Sequence, residues 1–433
     1  MRINQLISSV ADAGREILFN KNQKPVTQSL HDLCADLCSN KGEALGTALA
    51  REVVVAYNNA NKQQKIDFFF HLLTSYSANP SEVLKAAEAY KSNADYASFK
   101  ALNDIVEAPR QNLFRRINMA PGGIKTIVQL RQDLLAAIKE HPELKVIDFD
   151  LKHLLNSWFN RGFLSLEEID WKTPAHILEK LIKYEAVHAM NGWDDLKKRL
   201  GTNRRCFGFF HPSLPDEPLI FVEVALVKGI ADKVQPLIDP DESIDEIDVD
   251  TAIFYSISNC QAGLQGISFG NFLIKQVVME LKKEQPSLSQ YATLSPIPGF
   301  GKWLKRELDN TDSSILTPQQ RDSLKALSKD NWHADETTTD ALKIQLMPLC
   351  AHYLYKAKRR SRPLDPVANF HLGNGAYIQR INWLGDTSDN GIKQSMGMLV
   401  NYRYEIDKVE KNHECFVNEG KITVSNDFKK MLP

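Results

Sequence analysis

The chain has 433 residues, 53 Lys and Arg against 54 Asp and Glu, a formal charge of -1, and 43% hydrophobic residues. That balance excludes a basic protein held to nucleic acid by counterion release, and equally an acidic disordered tail. The length fits two domains with cores large enough to need no disulfide or metal staple. The longest apolar runs, Phe68–Phe70 and Phe221–Val227, fall far short of the roughly 18 residues that span a bilayer, so no membrane partner is expected.

The first residues lack an apolar signal core. Asp12 and Glu16 favour an amphipathic helix over an organelle transit segment. A cytoplasmic location is therefore expected, with a mitochondrial matrix left open for a eukaryotic source. The last residues, Met431-Leu432-Pro433, do not form a peroxisomal address.

Helices are expected through about residue 165. Stripes at helical spacing run over Ile7–Leu18, Leu30–Leu37 and Ile66–Tyr76. Another joins Ile127, Leu130, Leu134, Leu135 and Ile138, with a stop near His141-Pro142. Pro80 and Ser81 start a further helix, and Pro121-Gly122-Gly123 marks a turn. No alternating β-branched segment interrupts this part.

Six cysteines, at 34, 38, 206, 260, 350 and 415, read as reduced thiols. His31, Cys34 and Cys38 share one helical face, but no fourth ligand is spaced nearby, so buried thiols explain them and no metal is assigned.

Trp171–Leu200 still reads as helical, and strands begin after it. CFGFFHPS and PLIFVEVALV flank a Pro-Asp turn and predict a hairpin. Asp239–Asp250 is an acidic loop, Thr251–Ser258 a strand, Phe269–Lys283 a helix and Gln290–Leu294 a strand. Helices then continue to about Lys358, and Tyr377–Trp383 and Leu399–Tyr404 close the list of strands. The expected fold class is α+β: an all-helical bundle over 1–165, then a mixed α/β domain over 166–433.

Three segments carry chemistry. Gln261–Phe272 joins a strand to a helix and holds Gly263, Gly266 and Gly270. Glycines there permit positive φ and close backbone approach, and the helix start favours a phosphate. The spacing matches neither a Walker loop nor G-x-G-x-x-G. It looks like the Gln/Arg-Gly-x-Gly-x-Gly/Ala pyrophosphate loop of the acyl-CoA-binding acetyltransferase (GNAT) fold, with Ser268 in place of the middle glycine. A plain glycine turn is the competing explanation.

The second segment, Leu294-Ser295-Pro296-Ile297-Pro298-Gly299-Phe300, holds a serine at a strand end by a rigid turn. It is not a G-x-S-x-G elbow, so a hydrolase nucleophile is disfavoured. Ser295 either orients a carboxylate or oxyanion, or caps the next helix. The third, Asp365–Ala376, sets His371 amid turn residues; it suits a general acid, or a structural role. The basic run Lys356–Arg362 reads as a solvated helix end, or as a contact for the CoA 3′-phosphate or another acidic group.

Together RRCFGFFHPSLPDEPLIFVEVAL, FYSISNCQAGLQGISFGNFLIK, LSPIPGF and PVANFHLGNGAYIQRINWLGD resemble the malonyl-CoA decarboxylase family, in order, from about Trp171 to Tyr404. The resemblance implies a helical domain for oligomer contacts, a dimer or tetramer, and a GNAT-like catalytic domain. It implies decarboxylation of malonyl-CoA to acetyl-CoA and CO2 through a thioester enolate. Ser295 and His371 fall on the catalytic serine and histidine. Gln265, Gly266, Ile267, Ser268, Phe269, Gly270 and Asn271 fall on the CoA loop, with Ile274 on the same helix and Tyr404 beside the site.

Some family members carry an acidic residue where this chain has Ser268, a departure that touches malonyl positioning and leaves backbone binding of CoA intact. With the thioester as electron sink, no metal, biotin or pyridoxal cofactor is expected. Malonyl-CoA and acetyl-CoA are the expected small-molecule partners, with no nucleic acid; methylmalonyl-CoA stays open as a substrate. The competing functions are an acyl-CoA-dependent N-acyltransferase and a non-catalytic CoA-ester-binding scaffold.

Overall fold

The computed structural model describes residues 12, 29–39, 42–239, 248–267, 269, 273–329 and 331–432. The stripe expected over Ile7–Leu18 and most of the acidic loop after Asp239 lie outside the described residues.

Eight α-helices are found among the described residues up to Trp158: Leu30–Cys38, Glu43–Asn59, Lys62–Ser75, Pro80–Ser92, Tyr96–Val106, Pro109–Asn118, Gly123–Ala137 and Lys145–Trp158. Their starts follow from side chains that satisfy free N–H groups. Ser29 and Asn61 each form a reciprocal box with the residue three on, Asp32 and Gln64. Pro80 and Pro109 stand at first-turn positions where a missing N–H costs nothing. The expected stripe is partly buried: Ile127, Leu130 and Leu134 are at most 1% exposed, while Leu135 and Ile138 are half-covered because the helix ends at Ala137.

The second part is built on one eight-stranded sheet. Its strands are β1 (Ser165–Ile169), β2 (Arg204–Phe210), β3 (Ile220–Val227), β4 (Thr251–Asn259), β5 (Gln290–Thr293), β6 (Ser295–Pro296), β9 (Tyr377–Asn382) and β10 (Leu399–Arg403). β7 (Lys358–Arg359) and β8 (Arg362–Pro363) pair separately, so the basic run forms a ribbon and not a helix end. The sheet order is β1-β2-β3-β4-β5-β10-β6, with β9 also on β10. β1 escaped the sequence reading because it is short and lies at an edge with Glu167 and Glu168 exposed.

Every pairing is antiparallel except β4 with β5. A parallel pair needs a crossover, and the chain between β4 and β5 supplies it with helix Leu273–Glu284. β5 pairs with only Thr251–Phe254 of β4, so the rest of that nine-residue strand runs on without it. On one cluster Ala225, Ile253, Tyr255, Ala292, Leu294 and Leu399 pack together and fix the strands that carry the candidate site.

The packing divides the chain into two compact units. One takes in residues up to Leu164, together with His211–Pro215 and Gln261–Phe269; the other holds Ser165–Phe210, Asp216–Cys260 and Gly270–Pro433. The expected division after residue 165 is a single cut, whereas two later segments of the chain pack with the helices.

Candidate active site

Ser295 opens β6 and lies opposite Val400 of β10. Helix Phe300–Asp309 starts from Gly299 without a side-chain cap, so the serine hydroxyl is not spent on capping. Its Oγ lies 2.8 Å from Thr293 Oγ1 and 3.0 Å from His371 Nε2. Thr293 Oγ1 also accepts the Tyr402 N–H at 3.1 Å, which ties the hydroxyl pair to β10.

His371 occupies the last turn of helix Pro366–Gly373, in place of the irregular turn expected from its neighbours. The reason is local. Asp365 accepts the N–H groups of Val367 and Ala368, Pro366 sits at the first helical position, and Gly375, at φ +85°, ends the turn. The imidazole stacks on Tyr402 with centroids 4.7 Å apart, and its Nδ1 is 2.9 Å from the Tyr404 hydroxyl. Tyr404, His371, Ser295 and Thr293 thus form one buried hydrogen-bonded line.

Burial sets the electrostatics of this line. It lowers the His371 imidazolium to about 3, so the resting ring is neutral, and it raises the Tyr404 phenol, which stays protonated. With the ring neutral the line runs one way: Tyr404 donates to Nδ1, Nε2–H donates to Ser295, and the Ser295 hydroxyl donates to Thr293 Oγ1.

Asp365, in the sequence only a part of the histidine segment, is bonded to both that segment and the serine segment. Its carboxyl caps the His371 helix and also accepts the N–H of Gly299, in the turn that follows Ser295. Burial pushes this carboxyl up to about 6 against those donors. A Cβ on Gly299 would lie 2.1 Å from the Tyr353 hydroxyl, so only glycine fits there. Thr293 and Tyr402 were also missed. Both lie two residues from a residue already singled out, Thr293 before Ser295 and Tyr402 before Tyr404, and that spacing was the available signal.

The expected CoA loop divides into parts. Gln265 and Gly266 are exposed, with Gly266 at φ +72°. Gly263 meets helix Gly123–Ala137 so closely that a Cβ would lie 1.9 Å from the Val128 carbonyl oxygen. Ile267 and Phe269 are buried, and Ile274 is a core residue of helix Leu273–Glu284, so none of these three side chains is presented to a ligand. Ser268, Gly270 and Asn271 lie outside the described residues.

Cys34 is buried, which raises its thiol, while His31 stacks on His71 at 4.1 Å. Among the described residues no three His, Cys, Asp or Glu side chains gather to hold a metal ion, and no helix is long and apolar enough to cross a membrane.

Family models match the chain twice: a malonyl-CoA decarboxylase C-terminal domain over residues 162–433 and the corresponding N-terminal domain over 76–159. The mitochondrial malonyl-CoA decarboxylase of Mus musculus is 41% identical over 347 residues, covering 74% of this chain and 70% of that protein. The crystal structure of malonyl-CoA decarboxylase from Rhodopseudomonas palustris is 49% identical with a TM-score of 0.90, over 93% of this chain and all of that one. The enzyme from Agrobacterium vitis gives 44% and 0.87, over 93% and 99% of the two chains.

Proposed function

The chain belongs to the malonyl-CoA decarboxylase family, and from that premise we propose that it is a carboxy-lyase converting malonyl-CoA to acetyl-CoA and CO2. The observation that carries the reading is the buried line from Tyr404 through His371 to Ser295 and Thr293. In the reaction, the bond between the malonyl carboxylate and C2 breaks and its electron pair moves into the thioester as an enolate. A proton then adds to C2. The sum is malonyl-CoA plus one proton giving acetyl-CoA plus CO2, and the thioester itself is the electron sink, so no metal, biotin or pyridoxal group has a step to perform.

Ser295 donates to the malonyl carboxylate and fixes the breaking bond perpendicular to the thioester plane; His371 delivers the proton. The resting imidazole is neutral, so its second proton is taken up from solvent when the substrate binds. A carboxylate beside Nε2 favours the imidazolium that burial otherwise prevents. The Tyr404 oxygen then accepts Nδ1–H and steadies that charge. A cavity of about 350 Å³ that Tyr404 helps to line, with Lys282, Arg403 and Glu405, gives solvent an approach to this end of the line.

We assign the CoA phosphates to the Gln265–Asn271 loop through backbone donors. The helical part is assigned to self-association as a dimer or tetramer. That assignment is supported by helices Pro80–Ser92 and Tyr96–Val106, which bury no residue and expose Leu84, Tyr96, Phe99 and Val106. The reaction is placed in an aqueous compartment, the cytoplasm or, as for the murine relative, a mitochondrion.

Incubation with malonyl-CoA tests the reading. We expect CO2 and acetyl-CoA in equal amounts without an amine acceptor. Acyl transfer that requires an amine, or tight CoA binding without turnover, would overturn it.

A further inference from the structure

Two residues of the helix Lys145–Trp158, one turn apart, stand by the loop Gly263–Gly266, the first acting through Arg131. Asp148 forms an ion pair with Arg131 at 2.7 Å, and the same guanidinium donates to the Gly263 carbonyl, also at 2.7 Å. Arg131 is only 2% exposed, so this clamp is a fixed part of the fold. Lys152 follows Asp148 by four residues, and its Nζ would lie 3.6 Å from a Cβ placed on Gly266. All of these residues belong to the same compact unit.

Lys152 has a consequence different from that of Arg131. The carboxylate one turn before it is taken by Arg131, and no ion pair or hydrogen bond engages Lys152 among the described residues. Its side chain is exposed, as are Gln265 and Gly266 beside it. An unneutralised ammonium therefore stands next to a backbone turn held open by a positive φ. The N–H groups of Leu264, Gln265 and Ile267 donate within the turn, so the ammonium is the group here that suits a phosphate oxygen.

We propose that Lys152 is a substrate-binding residue that contacts a CoA phosphate at the Gly263–Gly266 turn, with Arg131 and Asp148 as the positioning pair that fixes the turn. This rests on the reading of that loop as the CoA site. Lys152 discriminates the phosphorylated carrier from its phosphate-free pantetheine arm and takes no part in breaking the carbon–carbon bond. Its contribution is a salt-screened one.

Calorimetric binding of CoA and of pantetheine to the full-length protein, with malonyl-CoA kinetics alongside, tests the assignment. Lys152→Ala is expected to weaken CoA binding and raise KM for malonyl-CoA about fivefold, the scale of an exposed ion pair. The change in kcat should stay within about twofold, and pantetheine binding should not change. Lys152→Arg should restore most of the affinity. CoA affinity that is unaltered in Lys152→Ala, or equal losses for CoA and pantetheine, would overturn the proposal. A wild type that binds CoA in a Lys152-dependent way but releases no CO2 would leave this inference standing and sink the decarboxylase reading. A wild type that binds no CoA would sink both.

Discussion

His371 is a histidine whose surroundings keep it from being an ordinary acid. Unfolded, it titrates near the usual value of about 6.5; folded, burial holds it at about 3. Between those values the unfolded chain binds a proton that the folded chain refuses, so stability falls as pH drops below about 6.5, and the penalty is absent above it. His371→Asn removes this term. Its melting temperature should decline less between pH 6.5 and pH 4 than that of the wild type, and parallel declines would show that the ring is not held neutral. The same residue carries a kinetic expectation. His371→Ala and Ser295→Ala should each lower kcat by about 10²–10⁴ while CoA affinity and melting near pH 7.5 stay close to wild type. Near-full turnover in either variant would remove that residue from the mechanism. The motifs point to these two positions, which the fold sets 3.0 Å apart. Thr293 and Tyr402 are less visible, because the contacts they make to this pair form only in the tertiary fold.

Ser295 and His371 stand 76 residues apart in sequence, and Asp365 holds the turn after the first to the helix of the second. Asp365→Ala should cost about 1–2 kcal/mol for the lost cap, and more for the Gly299 N–H left without a partner. A fall of several degrees in melting temperature is expected. The informative readout is kinetic: kcat should fall at least tenfold with KM little changed, and Asp365→Asn, which keeps a capping oxygen, should recover part of it. If KM rises and kcat holds, Asp365 serves only the fold. At this scale the sequence was legible where caps and periodicity act locally. The Asp-Pro start of this helix was in plain view, but the nearby Asn-Gly drew the reading toward a turn. What it could not supply was the second partner, since Gly299 meets Asp365 only through the tertiary fold.

Across the whole molecule, the first helices do not make a unit by themselves. His211–Pro215 and Gln261–Phe269 pack with them, the second so closely that Gly263 touches the Val128 carbonyl. A fragment ending at Leu164 should therefore melt at a lower temperature, and exchange its amide hydrogens faster in helix Gly123–Ala137, than the same residues within the full chain. Equal melting and equal protection would mean that the later segments add nothing. The change from helices to strands is legible in the sequence, where CFGFFHPS and PLIFVEVALV follow the helical stripes. The sequence holds no sign that a loop after the fourth strand returns to the helices, because Arg131 and Gly263 are brought together only by folding.

That return has a consequence for how the chain is made. The helices leave the ribosome first, yet the surface around Val128 and Arg131 stays uncovered until residue 269 has emerged, roughly a hundred residues later. At roughly 5–20 residues per second, several seconds pass with that face open and the buried Arg131 without its carbonyl. The interval ends when Gln261–Phe269 docks, so completion of the helical unit and closure of the Gly263–Gly266 turn are one event.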